Sequence, residues 1–241
     1  MCSTGVSPRQ REDEVTTTQE VIVDRNDPAY AGQARYTSLR LKTYDLIVYK
    51  FTGPVLWRCT QKQLLEFYDE RVSARHLDVG VATGTLIDRA TFPVPEPDIT
   101  LMDLNPTSLA FAAERLRRYS PKTHQANVLE PWGLPPQRFE SVGMMNILHC
   151  VPGTIKEKAV AFDHAREVLI PGGTLFGATV LGKGVKHTWM SNLGMRRLNQ
   201  NGVFSNLDDS LDDLEAALAV RFSSHQVRVQ GTIALFTAKS A

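Results

Sequence analysis

Apolar positions in this chain come in short bursts whose spacing changes regularly from residue 73 onward. Runs rich in β-branched and other apolar residues at 76–80, 99–103, 123–128, 139–145 and 174–180 read as strands. Between them, 84–91, 107–119 and 155–169 carry apolar residues at helical spacing. Pro106 favours the first turn of the second of these helices, where its missing N–H is no loss. A Pro/Gly-rich loop, Glu130 to Pro136, follows the third strand, and Pro171-Gly172-Gly173 opens the fifth. Helical segments are predicted at 186–200 and 210–220. Two closing strands, 223–230 and 232–238, are separated by Gly231 alone and predict an antiparallel hairpin. The alternation implies an α/β fold: a parallel sheet, with right-handed crossovers covering both faces. The pattern shows no internal repeat.

The first 72 residues differ. Residues 1–30 are polar and charged, with the first dozen expected to be disordered and Val15 to Asp24 to form a short strand or lie extended. Residues 31–72 are dense in large apolar groups, among them Tyr36, Tyr44, Tyr49, Phe51 and Trp57, then Leu64, Leu65, Phe67 and Tyr68. This segment is too short for a core of its own. It predicts a helical cap packed on the sheet domain of residues 73–241, joined over a pocket by an insertion near 185–206.

Composition narrows the classes. With 241 residues and 42% hydrophobic content the chain can fill one full α/β core. Its 27 basic and 26 acidic residues give a net charge of +1, which argues against a nucleic-acid or anionic-membrane partner. Cys2, Cys59 and Cys150 have no CxxC spacing, so neither a disulfide framework nor a cysteine zinc site is expected. No apolar run reaches membrane-spanning length, and Met1 to Glu14 lack a signal-peptide core. The expectation is a cytoplasmic protein, monomer or homodimer, acting on a small molecule.

The candidate chemistry sits in His76-Leu-Asp-Val-Gly-Val-Ala-Thr-Gly-Thr85, a strand running into a glycine turn and then a helix. The next strand ends on Asp103. Strand, glycine turn, helix, strand and terminal carboxylate suit a nucleoside-bearing cofactor. Gly80 permits positive φ or close backbone approach, and Gly84 and Thr85 open a helix whose free N–H groups can meet polar atoms. Asp78 suits an amino group, or a water and loop amides, and would repel a pyrophosphate. Asp103 can accept both hydroxyls of a ribose; alternatively Asp103 or Asn105 caps the helix after Pro106. A nicotinamide dinucleotide prefers glycine at all three turn positions where this chain has Gly80, Ala82 and Thr85. That leaves S-adenosylmethionine.

These motifs resemble a class I S-adenosylmethionine-dependent methyltransferase. Leu77 to Gly84 resembles the family's first motif, Leu101-Met-Asp-Leu104 the second, Gln125 to Glu130 the third, Phe139 to His149 the fourth strand with its loop, and Leu169 to Phe176 the fifth. The resemblance implies a three-layer, doubly wound, Rossmann-like sheet of order 3-2-1-4-5-7-6 with strand 7 antiparallel. It implies S-adenosyl-L-methionine as cofactor, S-adenosyl-L-homocysteine as product, and no metal. Asp78 would act on the methionyl amine directly or through water, with Gly80, Val81, Ala82 and Gly84 along the methionyl part. Asp103 would hold the ribose and Leu104 flank the adenine. Asn127 and Val128 would meet the adenine amino edge, and Asn146 and Ile147 would close the pocket. The family usually has glycine where Ala82 stands, which puts close approach of the cofactor in question.

Methyl transfer is an in-line displacement that needs alignment and exclusion of water more than acid catalysis. His149, just past the fourth strand, is the candidate base, with a structural histidine as the alternative reading. His187 is a weaker second candidate, and His76 reads as structural. Cys150 is expected to line the substrate pocket, together with Tyr36, Tyr44, Tyr49, Trp57, Trp189 and Met190, although for most of the aromatics at 36–57 ordinary helix-to-sheet packing is the better reading. The acidic run Asp208 to Asp213 reads as a solvated helix start. The expected reaction is methylation of an O, N or S atom of a small apolar or aromatic metabolite. A methyltransferase-like cyclase or isomerase and a non-catalytic partner subunit are the alternatives.

Overall fold

A computed structural model describes residues 48–241, with side chains from Thr52 onward. The segment 1–30, the start of the expected cap, Tyr36, Tyr44 and the Tyr49 side chain lie outside the described residues.

Seven strands form one sheet: β1 (Arg75–Val79), β2 (Asp98–Asp103), β3 (Lys122–Gln125), β4 (Phe139–Met145), β5 (Leu169–Val180), β6 (Ser224–Gln230) and β7 (Ile233–Lys239). Their order is β3-β2-β1-β4-β5-β7-β6. β7 runs antiparallel to both neighbours, and the pairs β1–β2, β2–β3, β1–β4 and β4–β5 are parallel. The sheet order and the closing hairpin match the expectation. Gln230 pairs with Ile233 across Gly231 and Thr232, and Gly231 has φ +63°.

Side-chain alternation divides the apolar residues between two faces. One face packs Leu77, Val142, Met144, Leu175 and Phe236 against helices α4 (Ile155–Lys158), α5 (Val160–Val168) and α7 (Leu211–Ala219). The other packs Ile99, Leu101, Met145, Phe176 and Leu235 against α1 (Gln61–Asp69), α2 (Thr85–Arg89), α3 (Pro106–Arg115) and α6 (Trp189–Gln200). Covering both faces is what lets parallel strands be apolar throughout.

Local chemistry sets the helix starts. Thr60 and Gln63 form a reciprocal capping box at α1, which then buries Leu64, Phe67 and Tyr68 on one side. Asn105 caps α3, its Oδ1 accepting from the Thr107 N–H at 2.8 Å, with Pro106 at the first position. The expected helix 155–169 breaks at Ala159 into α4 and α5. The helix expected to reach 119 ends at Arg115, and a 3₁₀ turn, Arg117–Tyr119, follows. β5 begins earlier than expected. Its pairing with β4 slips between Phe139↔Leu169 and Ser141↔Thr174, so Pro171-Gly172-Gly173 is absorbed as a bulge.

At the carboxyl edge of the sheet, α6 lies against Val48–Trp57, a segment of π-helical pitch containing Pro54. Gly194 of α6 allows the approach: a Cβ there would lie 2.9 Å from Leu56 Cδ1. The hairpin turn joins this contact, with the Thr232 N–H donating to the Trp57 carbonyl at 3.0 Å.

Gly231 combines a left-handed φ with a Cβ position 2.0 Å from the Trp57 carbonyl oxygen, whereas Gly133 has a similar φ and open space around it. Gly133→Ala should therefore cost about 1 kcal/mol, from conformation alone. Gly231→Ala should cost at least about twice that, because the backbone must also move. Urea unfolding of the two variants checks the difference; equal losses would contradict it.

Candidate active site

β1 pairs with β2 on one side and β4 on the other, so the chain leaves their carboxyl ends in opposite directions and a crevice opens between them. The resulting cleft measures about 1180 Å³, open mouth included. Among the described residues, the cleft is lined at its floor by Asp78, Gly80, Val81, Ala82 and Gly84, and on the β2 side by Asp103 and Leu104. Asn127 and Val128 line it beyond β3, and Asn146, Ile147 and Cys150 beyond β4. All eleven residues that the sequence pointed to for the cofactor thus lie around one cavity. Thr85, placed by the sequence at the start of the helix, also lines it, and Ser108, Val151, Pro152 and Val203 join without having been expected.

The floor is shaped by left-handed backbone. Gly80, Ala82 and Gly84 have φ of +74°, +48° and +68°, and Asn146 across the cleft has +63°. Gly80 also needs the space: a Cβ there would lie 2.5 Å from Ile147 Cδ1. Ala82 adopts its conformation at a cost of about 1 kcal/mol. Its N–H donates to Asp103 Oδ2 at 3.2 Å, so the methyl group does not prevent the turn from closing on β2.

Asp103 accepts at its other oxygen from the Asn105 N–H, 2.9 Å away. Helix capping falls to Asn105, so Asp103 is not the cap. Backbone N–H groups of Asn105, Ala82 and Leu104 all bear on this carboxylate, whose two oxygens offer about four acceptor sites. Burial raises the Asp103 carboxyl to about 6, against the lowering effect of the N–H donors from Asn105 and Ala82. The Leu129 N–H donates to Asn127 Oδ1 at 3.1 Å, which fixes that amide. Asp78 accepts from the Tyr68 hydroxyl at 2.6 Å.

The substrate-side expectations fare differently. His149 is buried outside the cleft lining, its ring 4.4 Å from that of Phe204. Its Nδ1 accepts from the Val180 N–H at 3.2 Å, so the neutral ring carries its proton on Nε2. Gaining a proton would break the Val180 bond. Burial, with the Lys158 charge adding, lowers the ring to about 3. This geometry favours the structural alternative, a histidine pinning the loop after β4 to β5, over the base.

Trp57 is a core residue, tilted against Phe204 at 5.8 Å. Trp189 is 74% exposed, Met190 is also exposed, and neither lines the cleft. Among the described residues, both thus stand apart from the cleft that the sequence expected them to line. His187 is likewise not among the lining residues. Cys150 does line the cleft, as a thiol that burial pushes up to about 12.

The acidic run is not wholly solvated. Asp209 is buried and accepts from Lys158 Nζ at 2.7 Å, while the same ammonium donates to the Ser205 carbonyl at 2.6 Å. The Ser205 N–H in turn donates to the His149 carbonyl. This buried pair ties the strap carrying Val203 to the cleft mouth. No group of three or more potential metal ligands occurs among the described residues. No helix among them is long and apolar enough to cross a membrane.

Because the folded state holds His149 near 3 and the unfolded chain near 6.5, unfolding takes up a proton between these values. Stability should therefore fall as pH drops through that window, by up to about 1.4 kcal/mol per pH unit from this group. Asp103 and Asp209, both raised to about 6, work in the opposite sense below that pH. The His149→Asn variant, whose amide oxygen can still accept from Val180, should lose the histidine contribution. Urea unfolding of both proteins across the window measures the difference; parallel curves would contradict the burial of a neutral ring.

Comparison with known proteins agrees with this architecture. The family model for a methyltransferase domain matches residues 77–175. The demethylluteothin O-methyltransferase of Streptomyces thioluteus is 46% identical over 226 residues, covering 93% of this chain and 98% of that protein. The physcion biosynthesis cluster O-methyltransferase of Aspergillus chevalieri is 36% identical over 213 residues, covering 88% and 96%. Among solved structures, the [4+2]-cyclase SpnF superposes with a TM-score of 0.61 at 15% identity, over 88% of this chain and 96% of that one, a likeness of fold. With the nucleoside-type cleft at β1 and β2 and relatives matched along nearly their whole length, the chain belongs to the class I S-adenosylmethionine-dependent methyltransferases.

Proposed function

We propose that the protein transfers a methyl group from S-adenosylmethionine to an oxygen atom of a small, largely apolar metabolite. The observation that carries this reading is one cleft in which Asp78 and Asp103 stand at adjacent strand ends and Met145, Ile147, Cys150, Val151 and Val203 form the far wall. The two carboxylates suit the ammonium and ribose of the cofactor. The far wall, without a charged side chain among those five, suits an uncharged acceptor. Oxygen is favoured because both relatives described above are named as O-methyltransferases.

The residues present fit the cofactor. S-adenosylmethionine, when bound, supplies an electrophilic methyl on a sulfonium. Asp103 would accept the ribose hydroxyls with the acceptor capacity its backbone bonds leave. Asp78 would take the methionyl ammonium, and the backbone of Gly80, Val81 and Ala82 would run beside the methionyl chain. Asn127 and Val128 would meet the adenine edge, with Leu104 against its face. Asn146 and Ile147, on the loop after β4, would close the cofactor pocket. The strap held by Lys158 would keep Val203 over the acceptor and exclude water, leaving alignment as the main source of rate.

Calorimetry should give micromolar affinity for S-adenosylmethionine or S-adenosylhomocysteine, about −8 kcal/mol. Absence of binding to either would overturn the proposal. Asp103→Ala should weaken binding about tenfold or more, because two hydroxyls lose a charged acceptor. The ionised carboxylate is the better acceptor, so wild-type affinity should fall as pH drops below about 6, while Asp103→Asn should bind weakly with a flatter profile. Transfer of labelled methyl to a panel of phenols, enolic hydroxyls, amines and thiols tests the acceptor, with an O-methyl product expected.

A further inference from the structure

Behind Asp78, away from the cleft, a polar chain runs through the apolar core. The Ser73 N–H donates to Ser141 Oγ at 3.0 Å, and Ser141 Oγ lies 2.8 Å from His76 Nδ1. His76 Nε2 lies 2.8 Å from the Tyr68 hydroxyl, which donates to Asp78 Oδ2 at 2.6 Å. Tyr68, His76 and Ser141 have no exposed surface, and none of them lines the cleft. Because Tyr68 spends its proton on the carboxylate, its oxygen accepts from His76 Nε2–H. His76 Nδ1 then accepts from the Ser141 hydroxyl. A neutral imidazole with its proton on Nε2 satisfies every link in one direction.

The surroundings are built for this chain. His76 and Asp78 share a face of β1 because they are two residues apart. Gly143 of β4 pairs with Asp78 and leaves room for the imidazole: a Cβ there would lie 3.2 Å from His76 Cε1. Phe176 stacks on His76 at 5.8 Å and meets Tyr68 edge-on at 5.0 Å, which fixes both rings. Burial, then the Asp78 charge, raises the Tyr68 phenol, so it stays a donor.

We propose that Tyr68, held by His76 and Ser141, is a positioning residue for the cofactor's amino-acid end: it fixes the Asp78 carboxylate to receive the methionyl ammonium. This rests on the reading of the cleft as an S-adenosylmethionine site. It assigns the methionyl end of the cofactor a dependence on α1, an element outside the strand–turn–strand unit. The adenosine end, held by Asp103 and Asn127, has no such dependence.

Two ligands separate the ends. S-adenosylhomocysteine carries the α-ammonium, and 5′-methylthioadenosine keeps the nucleoside but lacks the amino-acid part. Their affinities are measured by calorimetry for wild type, Tyr68→Phe, Asp78→Asn and the double variant. Tyr68→Phe keeps the ring packing and should weaken S-adenosylhomocysteine about tenfold or more, the scale of a lost hydrogen bond to a charged group. Methylthioadenosine should change by less than about twofold, and the Tyr68 effect should vanish in the Asp78→Asn background. Equal weakening of both ligands, no weakening, or an effect undiminished without the Asp78 charge would overturn the proposal. If Tyr68→Phe does not fold, His76→Gln is read by the same ratio of the two ligands. Failure of the wild type to bind S-adenosylhomocysteine would instead overturn the cofactor reading itself.

Discussion

The parallel pairing of β1 with both β2 and β4 is the constraint from which the rest of the structure follows. Because the chain must leave the two sides of β1 in opposite directions, no crossover fills the space above its carboxyl end. Side chains at the strand ends then converge without any one loop having to be long. Asp103 arrives there as the last residue of β2, Asp78 as the last but one of β1, and Asn146 as the first residue beyond β4. The backbone accommodates the crevice by taking left-handed conformations at Gly80, Ala82, Gly84 and Asn146, of which only two are glycine. Local strain gathers where a ligand must approach main chain, and the surrounding sheet holds it in place.

The two faces of the sheet solve the burial of polar groups in different ways. On one, the chain from Ser73 to Asp78 uses each donor and acceptor in turn, so its desolvation is offset link by link. On the other, Lys158 and Asp209 meet as ions. Burial lowers the lysine and raises the aspartate, each opposed by the charge of the other. Asp209 Oδ1 has no hydrogen-bond partner among the described residues. Such a pair adds little net stability compared with apolar groups, yet losing one member leaves a buried charge. Its value lies in fixing where the strap from Val203 to Asp209 sits.

Much of this was legible in the chain itself. The strand–turn–helix–strand unit from His76 to Asp103 was written in apolar bursts, Gly80 and Gly84, and two terminal acids. Gly231 announced the closing hairpin. The sheet order came from resemblance, since periodicity does not say which strands are neighbours. The residues whose role the sequence left open lie where periodicity stops. His149 is in a short turn, and its ring direction depends on the Val180 N–H, far away in sequence. Trp57 and Trp189 are both large and aromatic, yet one is buried and the other exposed, a difference set by the packing of α6 on Val48–Trp57. Asp209 looked like its neighbours in an acidic run until Lys158 was placed beside it. Tyr68 left a weaker trace: His76 and Asp78, two polar residues on one face of a central strand, required a polar partner from whatever helix covered them.

The closing hairpin also bears on how the protein is made. β5 is twelve residues long and apolar along most of its length, and its second neighbour is β7, which is completed at Lys239. During synthesis α6, α7 and β6 emerge while that edge of β5 has no partner. A nascent chain therefore exposes a long, adhesive strand edge until β7 has left the ribosome and slots between β5 and β6. The interval of greatest aggregation hazard thus runs from the emergence of β5 to that of β7, and a chain cut between the two would prolong it indefinitely.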